Sequence, residues 1–276
     1  IGLLSMANKQ QELGAEIIKK RLGRASLVQQ VLFYPLVSST NKVAWEMALT
    51  GCPEGTLVVT EEQGQGKGRF DRSWLCPKDK GILTSIIFRP ALLPAEVFRL
   101  SMLASLAICR TFSRFSGLGA RIKWPNDVMV NGRKLAGVLL EFPASSGKVE
   151  FAILGMGVNV NFDPQAIPEL QGIATSFLRE TGRYFDRLEI LAQLVMEMES
   201  GYLALKAGDF GPVFDEWKAK LTGLGEIVQI MSGQGLDKGI AEGVDENGAL
   251  IVRERNGQTR KLFTHDIAWG LKEVAS

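Results

Sequence analysis

Between Thr60 and Trp74 three glycines, at 64, 66 and 68, alternate with Gln65, Lys67 and Arg69, and Arg72 and Trp74 close the run. An apolar segment from Gly55 to Thr60 leads into it and reads as a buried strand. Glycine lets backbone N–H groups approach an anion closely, and the cationic side chains can then neutralise it. A strand ending in Gly, Lys and Arg therefore supplies what a phosphate or carboxylate site needs; a solvated basic turn is the structural alternative. Lys67 is followed by Gly68 rather than Ser or Thr, so this is not a Walker A loop, and the third glycine has the wrong offset for a dinucleotide fingerprint.

The rest of the chain is read around that stretch. Leu13, Ile17 and Leu22 give Asn8–Leu22 the spacing of a short surface helix, and Val31–Tyr34 is a strand ending at Pro35. Ser38, Ser39, Thr40 and Asn41 precede a helical run from Val43 to Ala48; they serve either as a helix cap or as a polar ligand site at a helix start. Ile82–Phe88 is a strand and Glu96–Phe115 a largely buried helix. Asn131-Gly132 between two apolar runs marks a hairpin whose returning strand begins at Lys134. Lys134 points into a site or sits exposed at a strand end. Val149–Val160 is a strand carrying Gly155 and Gly157, which admit either a ligand or a crowding neighbour. Helices follow at Arg187–Leu205 and Phe210–Leu221, then short strands with Gly and Asn turns from Glu226 onward, the pattern of a small antiparallel barrel.

Composition narrows the function. A net charge of +2 gives no general surface for nucleic acid or membrane, so any basic patch is local. Cys52, Cys76 and Cys109 are an odd count without paired spacing, which argues for a reducing cytosol and against a disulfide framework or zinc site. His265 is the one histidine, which disfavours a His-centred triad.

Taken in order, the marks Ser39-Thr40-Asn41, Gln63 with Gly66 to Arg72 and Trp74, Lys123 to Asp127, Lys134 to Gly137, and Gly155 to Asn159 resemble those of biotin protein ligases. The resemblance runs from about Val31 to the C-terminus. It implies an α+β fold, with a mixed, mostly antiparallel sheet flanked by helices (class II synthetase-like) and a small C-terminal SH3-like β-barrel. The expected division is 1–30 a helical segment, 31–222 the catalytic domain and 223–276 the small domain. The implied reaction uses ATP and Mg²⁺ to convert biotin to biotinyl-5′-AMP, then transfers biotin to a lysine of a biotin carboxyl carrier domain, in the cytoplasm. No nucleic acid or membrane partner is implied, and a homodimer is compatible with it.

The resemblance also assigns roles. Ser39, Thr40, Asn41, Gln63, Lys67, Gly68, Arg69 and Lys134 would hold biotin, with Lys134 and Arg69 as the catalytic cations. Lys67, Arg69, Arg72, Trp74, Lys123, Asn126 and Asn159 would hold the nucleotide, and Asn126, Asp127 or Asn159 would meet the metal through Mg-ATP. Segment 64–72 would close over the adenylate. Two positions depart from the pattern: Lys67 stands where the family usually has Arg, and Asp71 replaces a common Gly and is expected to pair with Arg69 or Arg72. The region before Val31 is too short for a winged helix-turn-helix, so a ligase without repressor function is expected. The rivals are a lipoate ligase or octanoyltransferase of the same fold, and a non-catalytic biotin-binding protein.

Overall fold

Alternation along the strands decides the main sheet. The computed structural model describes residues 13–23, 25–69, 72–143, 147–232, 235–262 and 267–268. Strands β1 (Gln30–Val37), β2 (Thr56–Gln63), β3 (Gly81–Phe88), β4 (Arg121–Lys123), β5 (Asp127–Val130), β6 (Arg133–Glu141), β7 (Ala152–Asn159) and β8 (Leu221–Thr222) form one sheet in the order β1-β2-β3-β7-β6-β5-β4-β8. The two outer pairs, β1·β2 and β4·β8, are parallel and the inner pairs antiparallel. The expected mixed, mostly antiparallel sheet is therefore present.

Successive strand residues face opposite sides. Leu57, Val59, Ile82, Ile86, Phe88, Ala136, Val138, Leu154, Met156 and Val158 enter the main core, beneath the long helices α3 (Arg99–Ser116) and α5 (Arg187–Lys206). Residues of the other parity face α2 (Thr40–Leu49), which covers Val58, Ile87 and Ile153 with Ala44 and Ala48. Beyond α2 that second face carries Ser85, Gly137, Gly155 and Gly157. Small residues there let the side chains of Asn41 and Trp74 lie close against the middle of the sheet.

Several elements differ from expectation at their ends. β1 runs through Pro35 because it is an edge strand, where a missing N–H removes no ladder bond. β2 continues past Thr60 to Gln63, held by parallel pairing with β1 up to Val37↔Gln63. The N-terminal helix α1 spans Ala15–Leu22, and the part expected before residue 13 lies outside the described residues. Asn131 and Gly132 both take positive φ, 49° and 75°, as the hairpin turn demands. A short helix α4 (Phe177–Thr181), which the sequence reading missed, precedes α5, and α6 (Gly211–Ala219) leads into β8.

The small C-terminal unit is a five-stranded antiparallel sheet in the order β12-β11-β10-β9-β13, from β9 (Ile227–Ser232), β10 (Gly235–Val244), β11 (Leu250–Glu254), β12 (Thr259–Leu262) and β13 (Ile267–Ala268). Its turn at Asn247 and Gly248 rests against α3. Gly248 has φ +80°, and a Cβ there would overlap Met102 and meet Phe98 Cδ1 at 2.5 Å. Trp124 Nε1–H donates to Gly248 O at 2.8 Å, and Arg99 donates to Asn247 Oδ1 at 3.0 Å. Among the described residues no helix is long and apolar enough to cross a membrane.

A buried ion pair fixes the far side of β2. Arg187, 4% exposed, is paired with Glu61, 6% exposed, and also donates to Gly81 O. Glu61 Oε1 further accepts the backbone N–H of Leu13 at 3.1 Å.

Candidate active site

The second face of the main sheet has a polar end. Ser39 stands at the N-cap of α2, yet its hydroxyl makes no capping bond. The helix-cap reading of this serine is thus not what the structure shows. Thr40 N–H donates to Gln63 Oε1 at 2.8 Å, and Thr40 Oγ1 lies 3.2 Å from the same oxygen. A backbone N–H can only donate, so the Gln63 carbonyl faces α2 and its Nε2 faces away. Ser85 Oγ lies 2.8 Å from Thr40 Oγ1 and 2.7 Å from Asn41 Oδ1. Asn41 Nδ2 donates to Glu141 Oε2 at 2.6 Å and to Leu139 O at 3.3 Å. Any side chain at Gly155 would overlap Asn41 Oδ1.

The other end is aromatic and cationic. Trp74 lies across Gly137 and Gly157, which are register partners on β6 and β7. A Cβ added at 157 would stand 2.5 Å from Trp74 Cε2, and one at 137 would stand 3.1 Å from its Cζ3. Lys134 Nζ lies 5.6 Å from the Trp74 ring centroid and 2.6 Å from Asp127 Oδ1. Asn126 is buried; its Nδ2 donates to Val138 O, and its Oδ1 accepts from Arg69 Nη1 at 3.4 Å. Burial lowers the Arg69 pKa to about 10, opposed by the Asp127 carboxylate and reinforced by Arg72. Arg69 therefore stays cationic at neutral pH. It also forms one wall of a cavity of about 270 Å³ bounded by Phe98, Trp124, Leu139 and the turn at Gly248.

The glycine-rich stretch folds back to deliver these groups. Gly64 and Gln65 N–H donate to Val37 O and Ser38 O, both at 2.9 Å, which ties the stretch to the start of α2. Trp74 N–H donates to Gly66 O at 2.8 Å and Gly68 N–H to Arg72 O at 2.7 Å, so residues 66–68 pair antiparallel with residues 72–74. Gly66 leaves no room for a side chain, because a Cβ would stand 2.5 Å from Trp74 O. Lys67 and Arg72 are exposed. Asp71 lies outside the described residues, and with it the expected pairing to Arg69 or Arg72.

Of two further expected residues, the Lys123 side chain stands apart from this group, whereas Asn159 Nδ2 reaches Lys134 O at 3.5 Å. Lys123 ends β4 opposite Asp127 and makes no hydrogen bond or ion pair with the group among the described residues. Asn159 is buried against backbone; its Nδ2 donates to Thr175 O at 2.9 Å, while its Oδ1 has no partner among the described residues. Ser85 and Glu141 were missed by sequence reasoning. Ser85 sits inside an apolar run, and its one available signal was a hydroxyl on the face of β3 that turns toward α2.

Gly155 and Gly157 are two residues apart on one strand and so share a face, about 7 Å apart. The polar end and the cationic end therefore lie on one face of the sheet.

Residues 33–159 match the biotin/lipoate A/B protein ligase family, and residues 223–264 match the biotin protein ligase C-terminal domain. The chain is 32% identical over 266 residues to the bifunctional ligase/repressor BirA of Bacillus subtilis, covering 96% of this chain and 82% of that protein. It is 34% identical over 224 residues to the biotin–[acetyl-CoA-carboxylase] ligase of Paracoccus denitrificans, covering 80% and 92% respectively. A biotin protein ligase from Aquifex aeolicus, solved in complex with biotin and ATP, is similar with a TM-score of 0.72 at 25% identity, covering 87% of this chain and 98% of that one. The chain belongs to the biotin/lipoate A/B protein ligase family.

Proposed function

We propose that the chain is an ATP-dependent biotin–protein ligase, which makes biotinyl-5′-AMP and transfers biotin to a lysine of a cytoplasmic carboxyl carrier domain. The single observation that carries this reading is the spacing on β7. A hydrogen-bonding cluster at Gly155 and the Trp74–Lys134 end at the Gly137–Gly157 pair are separated by about 7 Å along β7, the reach of a short acyl chain between a polar ring and its carboxylate. Catalysis is assigned to residues 31–222, with 223–276 as a supporting domain and 1–30 as a leading helical segment.

In the first step the biotin carboxylate attacks the α-phosphate of ATP and pyrophosphate leaves. Two anions must meet, so preorganised cations lower the barrier as charge develops. Lys134, held by Asp127, and Arg69, held by Asn126, stand where that charge forms. Thr40 and Gln63 orient the ring; Ser39 and Asn41 border the same pocket. Trp74 offers an indole face to the nucleotide, and Lys67, Gly68 and Arg72 close over it. In the second step the carrier lysine amine attacks the acyl carbon of the anhydride and AMP leaves.

Mg²⁺ enters this proposal with ATP, where it neutralises phosphate charge. The Asp127 carboxylate and Asn159 Oδ1, which has no partner among the described residues, are hard oxygen donors of the kind Mg²⁺ takes. Among the described residues no three His, Cys, Asp or Glu form a cluster that could hold a metal, so the ion would share its shell with phosphates.

The test incubates protein, ATP and Mg²⁺ with biotin or lipoate and reads the acyl-AMP by mass spectrometry. Biotinyl-AMP that disappears in Lys134→Ala is the expected result. Lipoyl-AMP alone would move the substrate, and no adenylate with either acid would overturn the reading. The closing role of the glycine-rich stretch is tested separately: Lys67→Ala and Arg69→Ala should increase leakage of the intermediate.

A further inference from the structure

The polar end of the site is wired to a carboxylate that no substrate role requires. Asn41 Nδ2 gives its hydrogens to two groups that can only accept, Glu141 Oε2 at 2.6 Å and Leu139 O at 3.3 Å. Its Oδ1 is thereby turned toward Ser85, in the space that the missing side chain of Gly155 leaves open. An amide oxygen only accepts, so the one Ser85 hydroxyl hydrogen goes to Asn41 across 2.7 Å. Ser85 Oγ then presents a lone pair to Thr40 Oγ1 at 2.8 Å. Gln63 Oε1, already fixed by the Thr40 N–H, presents another at 3.2 Å. Both acceptors draw the Thr40 hydrogen toward themselves. That leaves an oxygen lone pair on Thr40, and the N–H groups of Gln63 turn away from α2, on the side of Gly66. An acceptor beside a donor is the complement of a urea, whose N–H adjoins its carbonyl.

We propose that Glu141 is a positioning residue which, through Asn41 and Ser85, holds the Thr40 hydroxyl in place at the ring pocket. The proposal rests on the biotin reading above and adds that ring recognition is fixed from the end of β6. Buried hydrogen-bond chains of this kind act as a unit, so disturbing one member disturbs those that follow. Glu141→Lys replaces an acceptor by a donor and turns Asn41 over, which sets its Oδ1 against Leu139 O, sends Nδ2 to Ser85 and displaces the bonds that hold the Thr40 hydroxyl.

The experiment measures biotin binding by calorimetry and adenylate formation at varied biotin, with thermal unfolding to verify folding. Glu141→Lys is expected to weaken biotin binding and raise its KM about tenfold, the worth of one mismatched buried hydrogen bond, with kcat at saturating biotin within about twofold. Glu141→Gln keeps an acceptor and should weaken binding by less than about threefold. The double variant Asn41→Asp/Glu141→Lys restores a carboxylate oxygen to Ser85 and pairs with the new lysine, so it should recover most of the lost affinity. If Glu141→Lys does not fold, Glu141→Leu removes the acceptor alone and should still raise KM without lowering kcat. Biotin KM within twofold of wild type in both the Lys and Leu variants would overturn the proposal, as would a double variant no better than Glu141→Lys. Failure of the biotin reading looks different, because wild type itself would then bind no biotin.

Discussion

Lys134 Nζ stands 2.6 Å from Asp127 Oδ1, across the hairpin that turns at Asn131 and Gly132. The pair fixes where a cation stands, beside the face of Trp74. Lys134→Ala should lower the rate of adenylate formation by about 10²–10³, the usual effect of removing one preorganised charge-stabilising group. Biotin affinity should change less. Single-turnover measurement at saturating biotin and ATP checks this, and Asp127→Asn should give a smaller loss because the lysine remains.

Trp74 occupies space that Gly137 and Gly157 provide by having no side chain. Gly157→Ala should push the indole away and raise the KM for ATP by about tenfold, the magnitude of a lost aromatic contact with its packing. Titration of initial rate against ATP is the measurement. An unchanged KM would remove Trp74 from the nucleotide site.

Arg187 and Glu61 form an ion pair away from water. Removing one partner leaves the other charge buried and unpaired, which costs about 3–5 kcal/mol. Arg187→Met should therefore lower the unfolding midpoint by roughly ten degrees. The double variant Arg187→Met/Glu61→Leu should recover much of that loss. Differential scanning calorimetry of the three proteins decides it.

Burial pushes the thiols of Cys76 and Cys109 up to about 12. The reactive thiolate appears only as pH rises toward that value, so at pH 8 about one thiol in ten thousand is ionised at either site. Iodoacetamide at pH 8 should leave both unmodified in the folded protein and label both in denaturant, as peptide mass mapping would show. Rapid native labelling of Cys109 would contradict its burial, and Cys76, which is partly exposed, should be the faster of the two.

The fold was legible wherever periodicity or turn chemistry was local. The Asn131-Gly132 hairpin, the helix after Glu96 and the short C-terminal strands all carry their signal within a few residues. Strand ends were not, because partners distant in sequence set them. β2 continues to Gln63 through its pairing with Val37, and an apolar pattern that fades at Thr60 has no way to register that. The same holds for the site. Gly66, Lys134 and Gly155 announced themselves by being wrong for an ordinary strand or turn, whereas Ser85 and Glu141 matter only through Asn41, 44 and 100 positions away. Glu61 and Arg187, 126 positions apart, are legible only once α5 is laid over β2.

The indole of Trp124 joins the two sheets by its bond to Gly248 O, one residue before Pro125 and two before Asn126. The consequence concerns inheritance. The smaller sheet is not an interchangeable module, because its turn at 248 was shaped against the side chains at 98, 102 and 124. A chimera that takes its C-terminal unit from a relative should keep its active-site geometry only when those three residues travel with it.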